Sequence, residues 1–576
     1  MTTATSSRTP VSNPFVAAIA PSLADVLARL DTADGLVDRA RADMRSAVRT
    51  FCRLIDCQPK EVPAHPNFLR ERLKRVAPAR FGMSKGRWSN IRSLIGKALK
   101  VCGYAVMPGR YMAPLTPEWE NLYRRLHSKT LECGLTRFLH YCAAQGIQPD
   151  DVREENFERF RLALQNESLV KNHLVVHQHA CRCWNKAVNL VDGWPNLQVK
   201  VPSYRESYTL DWSAFPSSLS QDTQDWLDRL AGRDLVNPVP FKPVKPSTLE
   251  RREFQIRQLA SALVHRGRPV ASIQTLADLV DVEMAKDALR FFVDRAEGKT
   301  TTQIGDLATV IKAIGEHWVK VDEDHLDELK AIRRRLDPGR GGMTDKTRAM
   351  LRQFEDDGLI AAFLGLPDTL FRRARSEEPS FRKAVTVQII LAIELLTVAP
   401  MRISNLVSLD LDDNVIRIGQ GKTQSVHLFV PASDVKNDKD LEFPLPNATV
   451  KLLDTYITDY RPLLLRELAR WLFPGLGTNH KNQHTLGMQI SGTIETELGL
   501  RITAHQFRHL SGYLYLRANP GGHEVVRALL GHKSIETTIR FYAGMEGPAA
   551  VREYARVLEQ YRGGVTNVTH DRRYRA

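Results

Sequence analysis

The sequence contains no run of about 18 or more apolar residues, so nothing in it is expected to cross a membrane. Its first residues, MTTATSSRTPVSNPF, lack the basic start and following apolar run of a secretory leader. Cysteine is scarce and confined to the first third: Cys52, Cys57, Cys102, Cys133, Cys142, Cys181 and Cys183. The number is odd and no CxxC spacing occurs, which excludes a disulfide scaffold and points to a reducing compartment. No low-complexity block dominates. The expectation is a soluble intracellular protein.

Acids are also in deficit. Lysine and arginine number 81 against 66 aspartates and glutamates, a formal charge of +15. Such an excess favours a polyanionic partner, nucleic acid above all. With 576 residues, three or four domains are expected rather than one core.

Hydropathy patterning predicts a mainly α, multidomain chain. Residues 1–20 are Ser/Thr/Pro-rich and read as a tail. Apolar residues at three- and four-residue intervals predict a helical domain over 21–113 and a second over 114–224. In the second, Leu131, Leu135, Phe138, Leu139 and Cys142 make one apolar face that Gly146 ends. HQHACRCW places His177, His179, Cys181 and Cys183 at every second position, resembling a metal box. Helical spacing separates them into His177/Cys181 and His179/Cys183 on different faces, so packed cysteines and solvated histidines are expected instead. A third helical block covers 225–335, with a capping box predicted at Ser247 and Glu250. Its Gly267 follows an amphipathic helix much as Gly146 does, a faint internal echo. RRRLDPGRGGMTDK then reads as a basic linker over 336–346. Beyond it, VTVQIILAIELLTV is apolar nearly all round and should be a buried helix. NVIRIG, SVHLFVPASDV and LEFPLP alternate like strands of a small antiparallel sheet whose second turn is Lys436 to Lys439. The chain returns to helices and ends in a basic tail, 563–576.

The chemistry concentrates in Thr503–Gly544. Thr503 and Gln506 have capping-box spacing, and His505 and Arg508 then project from one face of the new helix. His532 follows in LLGH, and Tyr542 comes ten residues later. Far upstream, Arg402 sits on a tight turn after the buried helix, a costly place for a guanidinium without an anion. Two arginines can grip both non-bridging oxygens of a phosphodiester, and a tyrosine can attack its phosphorus. A lysine on a hairpin tip can protonate the leaving oxygen.

The ordered set Arg402, Lys436, His505-x-x-Arg508, His532 and Tyr542 resembles the tyrosine recombinase (phage integrase) family. PMRISNL is similar to its first arginine box, and VKNDKDLEFPLP to its lysine hairpin, with Lys436 eight residues before Pro444. HQFRH and LLGHKSIETT match its second box. The resemblance covers about 345–562 and extends to the preceding block. It implies a helical, SAM-like core-binding domain at 225–335 and a mixed α+β catalytic domain with a small antiparallel sheet at 347–562. It also implies the roles. Arg402 and Arg508 bind the scissile phosphate, Lys436 acts as general acid toward the 5′ oxygen, and His505 aids proton transfer. His532 hydrogen-bonds the phosphate, and Tyr542 becomes linked to the 3′ phosphate. Neither cofactor nor metal is required. Double-stranded DNA is the implied partner, with a homo-tetramer on synapsed sites. The implied location is cytoplasmic and nucleoid-associated, in a bacterial mobile element.

Three departures stand out. Asn405 occupies a position where the family commonly has an acid. Tyr542 lies ten residues after His532 where nine is usual, and Phe541 holds the usual place; a one-residue bulge would reconcile the spacing. Lys422 in GQGKTQ rivals Lys436 but falls at the first strand turn. A type IB-like topoisomerase or a catalytically degenerate DNA-binding protein are the alternatives; a metal-dependent transposase lacks a carboxylate constellation. The first two helical blocks could bind arm-type DNA sites, hold the tetramer, or engage an accessory recombination protein.

Overall fold

A computed structural model of the chain describes residues 21–104, 114–204, 207–232, 243–339, 342–376, 378–420, 424–435, 439–542 and 558–559. The chain divides into two units: Met1–Pro202 together with Gly342–Ala576, and Ser203–Gly341. No helix among the described residues is long and apolar enough to cross a membrane.

The first unit begins with α1 (Leu23–Thr32), α2 (Asp38–Leu54), α3 (Pro66–Arg75) and α4 (Lys85–Val101). A capping box between Ser22 and Asp25 starts α1, and Ser84 caps α4 by accepting the Arg87 N–H at 3.2 Å. Leu30, Val48, Phe51, Leu69, Ile95 and Leu99 form their core. Four more helices follow: α5 (Pro117–Arg124), α6 (Lys129–Ala144), α7 (Glu154–Asn166) and α8 (His173–Leu190). They pack around aromatic residues, with Phe138 stacked on Phe157 at 4.0 Å between centroids and Trp184 edge-on to both. The two blocks are joined by Arg70. Its buried guanidinium donates to the carbonyls of Leu164 (3.1 Å) and Gln165 (2.6 Å), left without helical partners at the end of α7, and to that of Ser168 (2.6 Å) just beyond it.

On α8 the four metal-like residues do separate into two pairs, with Cys181 Sγ 3.7 Å from His177 and Cys183 Sγ 3.7 Å from His179. Burial pushes the Cys181 thiol up to about 12, so the ligating thiolate is disfavoured. No group of three or more metal-ligating side chains occurs among the described residues. One expectation fails: His177 is buried rather than solvated, because its turn of α8 faces Phe160.

The second unit holds α9 (Ser217–Leu230), α10 (Pro246–His265), α11 (Leu276–Val280), α12 (Val282–Arg295), α13 (Thr302–Ile314) and α14 (Glu323–Arg335). The expected break at 224/225 falls inside α9. Leu219, Trp226 and Leu230 pack with Ile256, Leu259 and Leu307, so this amphipathic helix belongs to the later core, and the division falls after Pro202. The expected capping box is also displaced. Lys245 is the N-cap of α10 and Pro246 its first residue, because a proline has no N–H to leave unpaired there. The internal echo has a backbone counterpart. Gly146 and Gly267 both adopt positive φ (69° and 89°), and both are followed by the same closing bond, Ile147 N–H to Cys142 O (2.9 Å) and Arg268 N–H to Leu263 O (3.0 Å).

From residue 342 the chain forms α15 (Asp345–Arg352), α16 (Asp357–Leu364), α17 (Leu366–Arg375), α18 (Phe381–Val398) and α19 (Ile403–Val407). The expected three strands follow: β1 (Val415–Ile418), β2 (Ser425–Val430) and β3 (Leu441–Pro444), antiparallel in the order β1-β2-β3. Leu428 pairs with Val415 on one side and Phe443 on the other, and Val426, Leu428 and Val430 face the core. Then come α20 (Asn447–Thr455), α21 (Gln483–Leu498), α22 (Gln506–Ala518), α23 (His523–Leu530) and α24 (Ile535–Tyr542). α18 runs through the centre of this core, with Val387, Ile390, Leu391, Ile393, Leu395 and Leu396 all at 0% exposure. That central helix delivers the next loop to a defined place.

Candidate active site

The loop after α18 makes a tight turn, Met401 N–H donating to Ala399 O at 2.6 Å. It leaves Arg402 extended at the start of α19, half-buried. α22 begins at Gln506, with His505 as its N-cap. Half of the predicted capping box forms: the Gln506 side chain accepts the Thr503 N–H at 2.8 Å. This orientation sends Arg508 into the core.

Arg508 is 5% exposed and donates to Pro400 O (2.6 Å) and to Leu530 O (2.5 Å). The second acceptor is a helix-end carbonyl, since α23 stops at Gly531 in the left-handed region. One guanidinium therefore ties the Arg402 loop to the turn that carries His532. His532 is held in its own right by a hydrogen bond of 2.9 Å between Nδ1 and Thr538 Oγ1 on α24.

Tyr542, the last described residue of α24, is 1% exposed and donates through its phenol to Arg508 O at 3.1 Å. The ring fits because residue 512 is glycine. A Cβ there would stand 2.4 Å from the phenolic oxygen. The expected bulge does not lie within the helix: Ile535–Tyr542 is unbroken, so any extra residue falls in the short connection from His532 to Ser534. Helical geometry turns Phe541 toward His509 (5.6 Å between centroids) and Tyr542 inward beneath Arg508. Lys436 and Lys422 lie outside the described residues. Of the hairpin around Lys436, Leu441 packs so closely on Gly531 that a Cβ at residue 531 would come within 2.7 Å of it. Asn405, buried at 4%, accepts the Ser404 hydroxyl at 3.2 Å and leaves its Nδ2 without a partner.

The electrostatics of this cluster run in one direction. Burial first, and then the Arg402 charge, push Arg508 down to about 10, still protonated at neutral pH. Burial and the charges of Arg508 and Arg402 lower His505, and the same causes push His532 down to about 4. His509 also falls to about 4, from burial and from His505, Arg508 and His532 around it. Burial raises the Tyr542 phenol, with Arg508 opposing. Among the described residues, the charges that shift these groups come from Arg or His, apart from the phenol of Tyr542 itself. Such a cluster holds neutral histidines until an anion enters.

The structure thus brings together five of the six expected residues, Arg402, His505, Arg508, His532 and Tyr542. Sequence reasoning missed three neighbours. His509 was visible as the second histidine of HQFRH, and its ring lies 5.4 Å from that of His505 and 6.4 Å from that of Tyr542. Gly512 and Thr538 gave no signal, because their roles are only the space and the hydroxyl they offer another element.

Residues 376–546, which contain all six expected positions, match the phage integrase family. We call this segment the integrase domain for that similarity. Over 148 residues the chain is 29% identical to tyrosine recombinase XerD of Staphylococcus aureus strain Mu50, covering 25% of this chain and 46% of that relative. XerD of Staphylococcus saprophyticus is 28% identical over the same length. The chain spans about half the length of the curated relatives it matches. Among solved structures, XerH recombinase in a post-cleavage complex with a palindromic difH substrate aligns with 74% of this chain and 98% of its own, at 14% identity and a TM-score of 0.37. The Tn1549 transposon integrase in complex with transposon right-end DNA aligns with 59% of this chain and 98% of its own, at 16% identity and a TM-score of 0.34.

Proposed function

We propose that this protein is a site-specific DNA recombinase of a bacterial mobile element, cleaving and rejoining duplex DNA through a 3′-phosphotyrosine at Tyr542. The observation that carries the reading is the cluster of two arginines, Arg402 and Arg508, with His505 and His532 beside a buried tyrosine. A phosphodiester is an anion whose geometry two guanidinium groups and two imidazoles suit. Arg402 and Arg508 take its non-bridging oxygens and stabilise the charge added at phosphorus, and His532 donates to the same group. The approaching anion raises the histidine pKa values, so His505 and His532 become better donors on binding.

Attack begins when the phenol leaves the Arg508 carbonyl. The Tyr542 oxygen bonds to phosphorus, the bond from phosphorus to the 5′ oxygen breaks, and the phenolic proton passes to a base, a role this reading assigns to His505. Lys436 is assigned the proton given to the 5′ oxygen. Rejoining runs the same steps in reverse with a new 5′ hydroxyl, so the phosphotyrosine bond conserves the energy of the broken one. Four protomers on two synapsed duplexes complete the exchange in this reading. The test is a nicked duplex from the flanks of the gene, incubated with the full chain. A covalent adduct that wild type forms and Tyr542→Phe does not is expected, and wild type without an adduct sinks the reading. Joined products from two duplexes separate recombination from relaxation of one.

A further inference from the structure

The positive charge of this chain is not where the candidate active site is. Residues 342–542 carry 24 lysines and arginines against 22 acids, and residues 203–341 carry 21 against 22. Residues 21–104 carry 17 against 8, which is +9 of the total +15. Within and after that domain, no acid occurs from Arg72 to Pro117, a stretch holding ten lysines and arginines.

Helix α4 runs through this acid-free stretch. It buries Trp88, Ile91, Ile95, Ala98 and Leu99 on one side. The opposite stripe, Gly86, Asn90, Ser93, Lys97 and Lys100, is exposed, and Lys85 and Arg87 are exposed at its start. Small polar residues in the middle of a face with cations at both ends let a helix backbone approach closely while its margins reach phosphates. The described ion pairs of the domain are Arg45–Asp31 and Lys74–Glu71, so Lys85, Arg87, Lys97 and Lys100 are committed to no acid among the described residues. The helix is about 25 Å long, and a major groove about 12 Å wide admits such an element. The domain is also fastened to the integrase domain. Arg80, in the turn just before α4, donates to Gly499 O at 3.0 Å and to the Gln353 side chain.

We infer that the exposed face of α4 is a second duplex-DNA contact surface, separate from the cleavage site, with Lys85, Arg87, Lys97 and Lys100 on phosphates and Asn90 and Ser93 toward base edges. The inference rests on the reading that the chain works on DNA. Neutralising phosphates releases counterions, so each lost cation flattens the dependence of log K on log salt by about 1.

The experiment measures binding of the full chain to a random-sequence duplex of ~40 base pairs across salt concentrations. Replacing Lys85, Arg87, Lys97 and Lys100 together by alanine is expected to lower the slope by about 3 and the affinity at 150 mM salt at least tenfold. A control that removes the exposed Arg124, Lys129, Lys171 and Lys186 of the neighbouring block is expected to change the slope by less than about 1. Lys97→Arg with Lys100→Arg should retain wild-type behaviour, and thermal melts show that each variant is folded. An unchanged slope in the α4 variant, or equal losses in both variants, overturns the inference. If wild type still forms the Tyr542 adduct, that result leaves the proposed function standing. A wild type that binds no DNA removes both.

Discussion

The integrase domain and the N-terminal helical domain are positive in opposite ways. The first is nearly neutral in sum, 24 bases against 22 acids, yet gathers Arg402, Arg508 and three histidines, His505, His509 and His532, in one cluster. The second spreads an excess of nine charges over its surface and buries only Arg70 of them fully, fully paired with carbonyls. A buried cluster pays in desolvation and in depressed histidine pKa values, and it recognises one anion with fixed geometry. A dispersed surface is cheap to fold and recognises any polyanion, with strong salt dependence. The lesson is that net charge by itself does not locate the chemistry.

Four experiments would break or sharpen this comparison. The largest effect is expected from Tyr542→Phe, which should abolish the covalent adduct while DNA affinity stays within about twofold, because the phenyl ring keeps the packing against Gly512. Residual adduct on a nicked duplex would move the nucleophile elsewhere. Arg508→Lys keeps a charge but cannot serve Pro400 O and Leu530 O together. Single-turnover cleavage should fall by about 10²-fold or more, with a lower melting temperature. A variant that cleaves normally would show that the fork is dispensable.

Gly512→Ala should destabilise by about 1–3 kcal/mol, since its Cβ would meet the Tyr542 oxygen. In a double-mutant cycle with Tyr542→Ala most of that cost should vanish; an additive cycle would place the strain elsewhere. The smallest effect concerns pH. His509 and His532 sit near 4 in the folded protein and near 6.5 when unfolded, so between those values the unfolded chain binds more protons. Stability should therefore fall as pH drops from about 6.5 toward 4. A short duplex should reduce the loss, because an anion in the cluster raises both histidines. Melting curves across that range, with and without DNA, check the sign.

Much of this was legible in the residues. The buried α18, the three strands and the helices of the integrase domain follow from periodicities of 3.6 and 2. Expectations failed where an element had to choose between two cores or two starts. α9 is amphipathic whichever neighbour it joins, and only packing against Ile256 and Leu307 assigns it to the later unit. At α10 the proline outcompeted the capping box. The bulge expected before Tyr542 followed from counting residues, whereas an unbroken helix already directs Phe541 to His509 and Tyr542 to Arg508.

By itself, then, the sequence determined which residues carry the chemistry and which faces of the helices are apolar, because residue type and local spacing are properties of the chain alone. Tertiary structure decided that Arg508 bridges Pro400 and Leu530 and that Gly512 makes room for the phenol. Those facts depend on contacts across 22 to 108 residues of chain, distances over which no local pattern carries information.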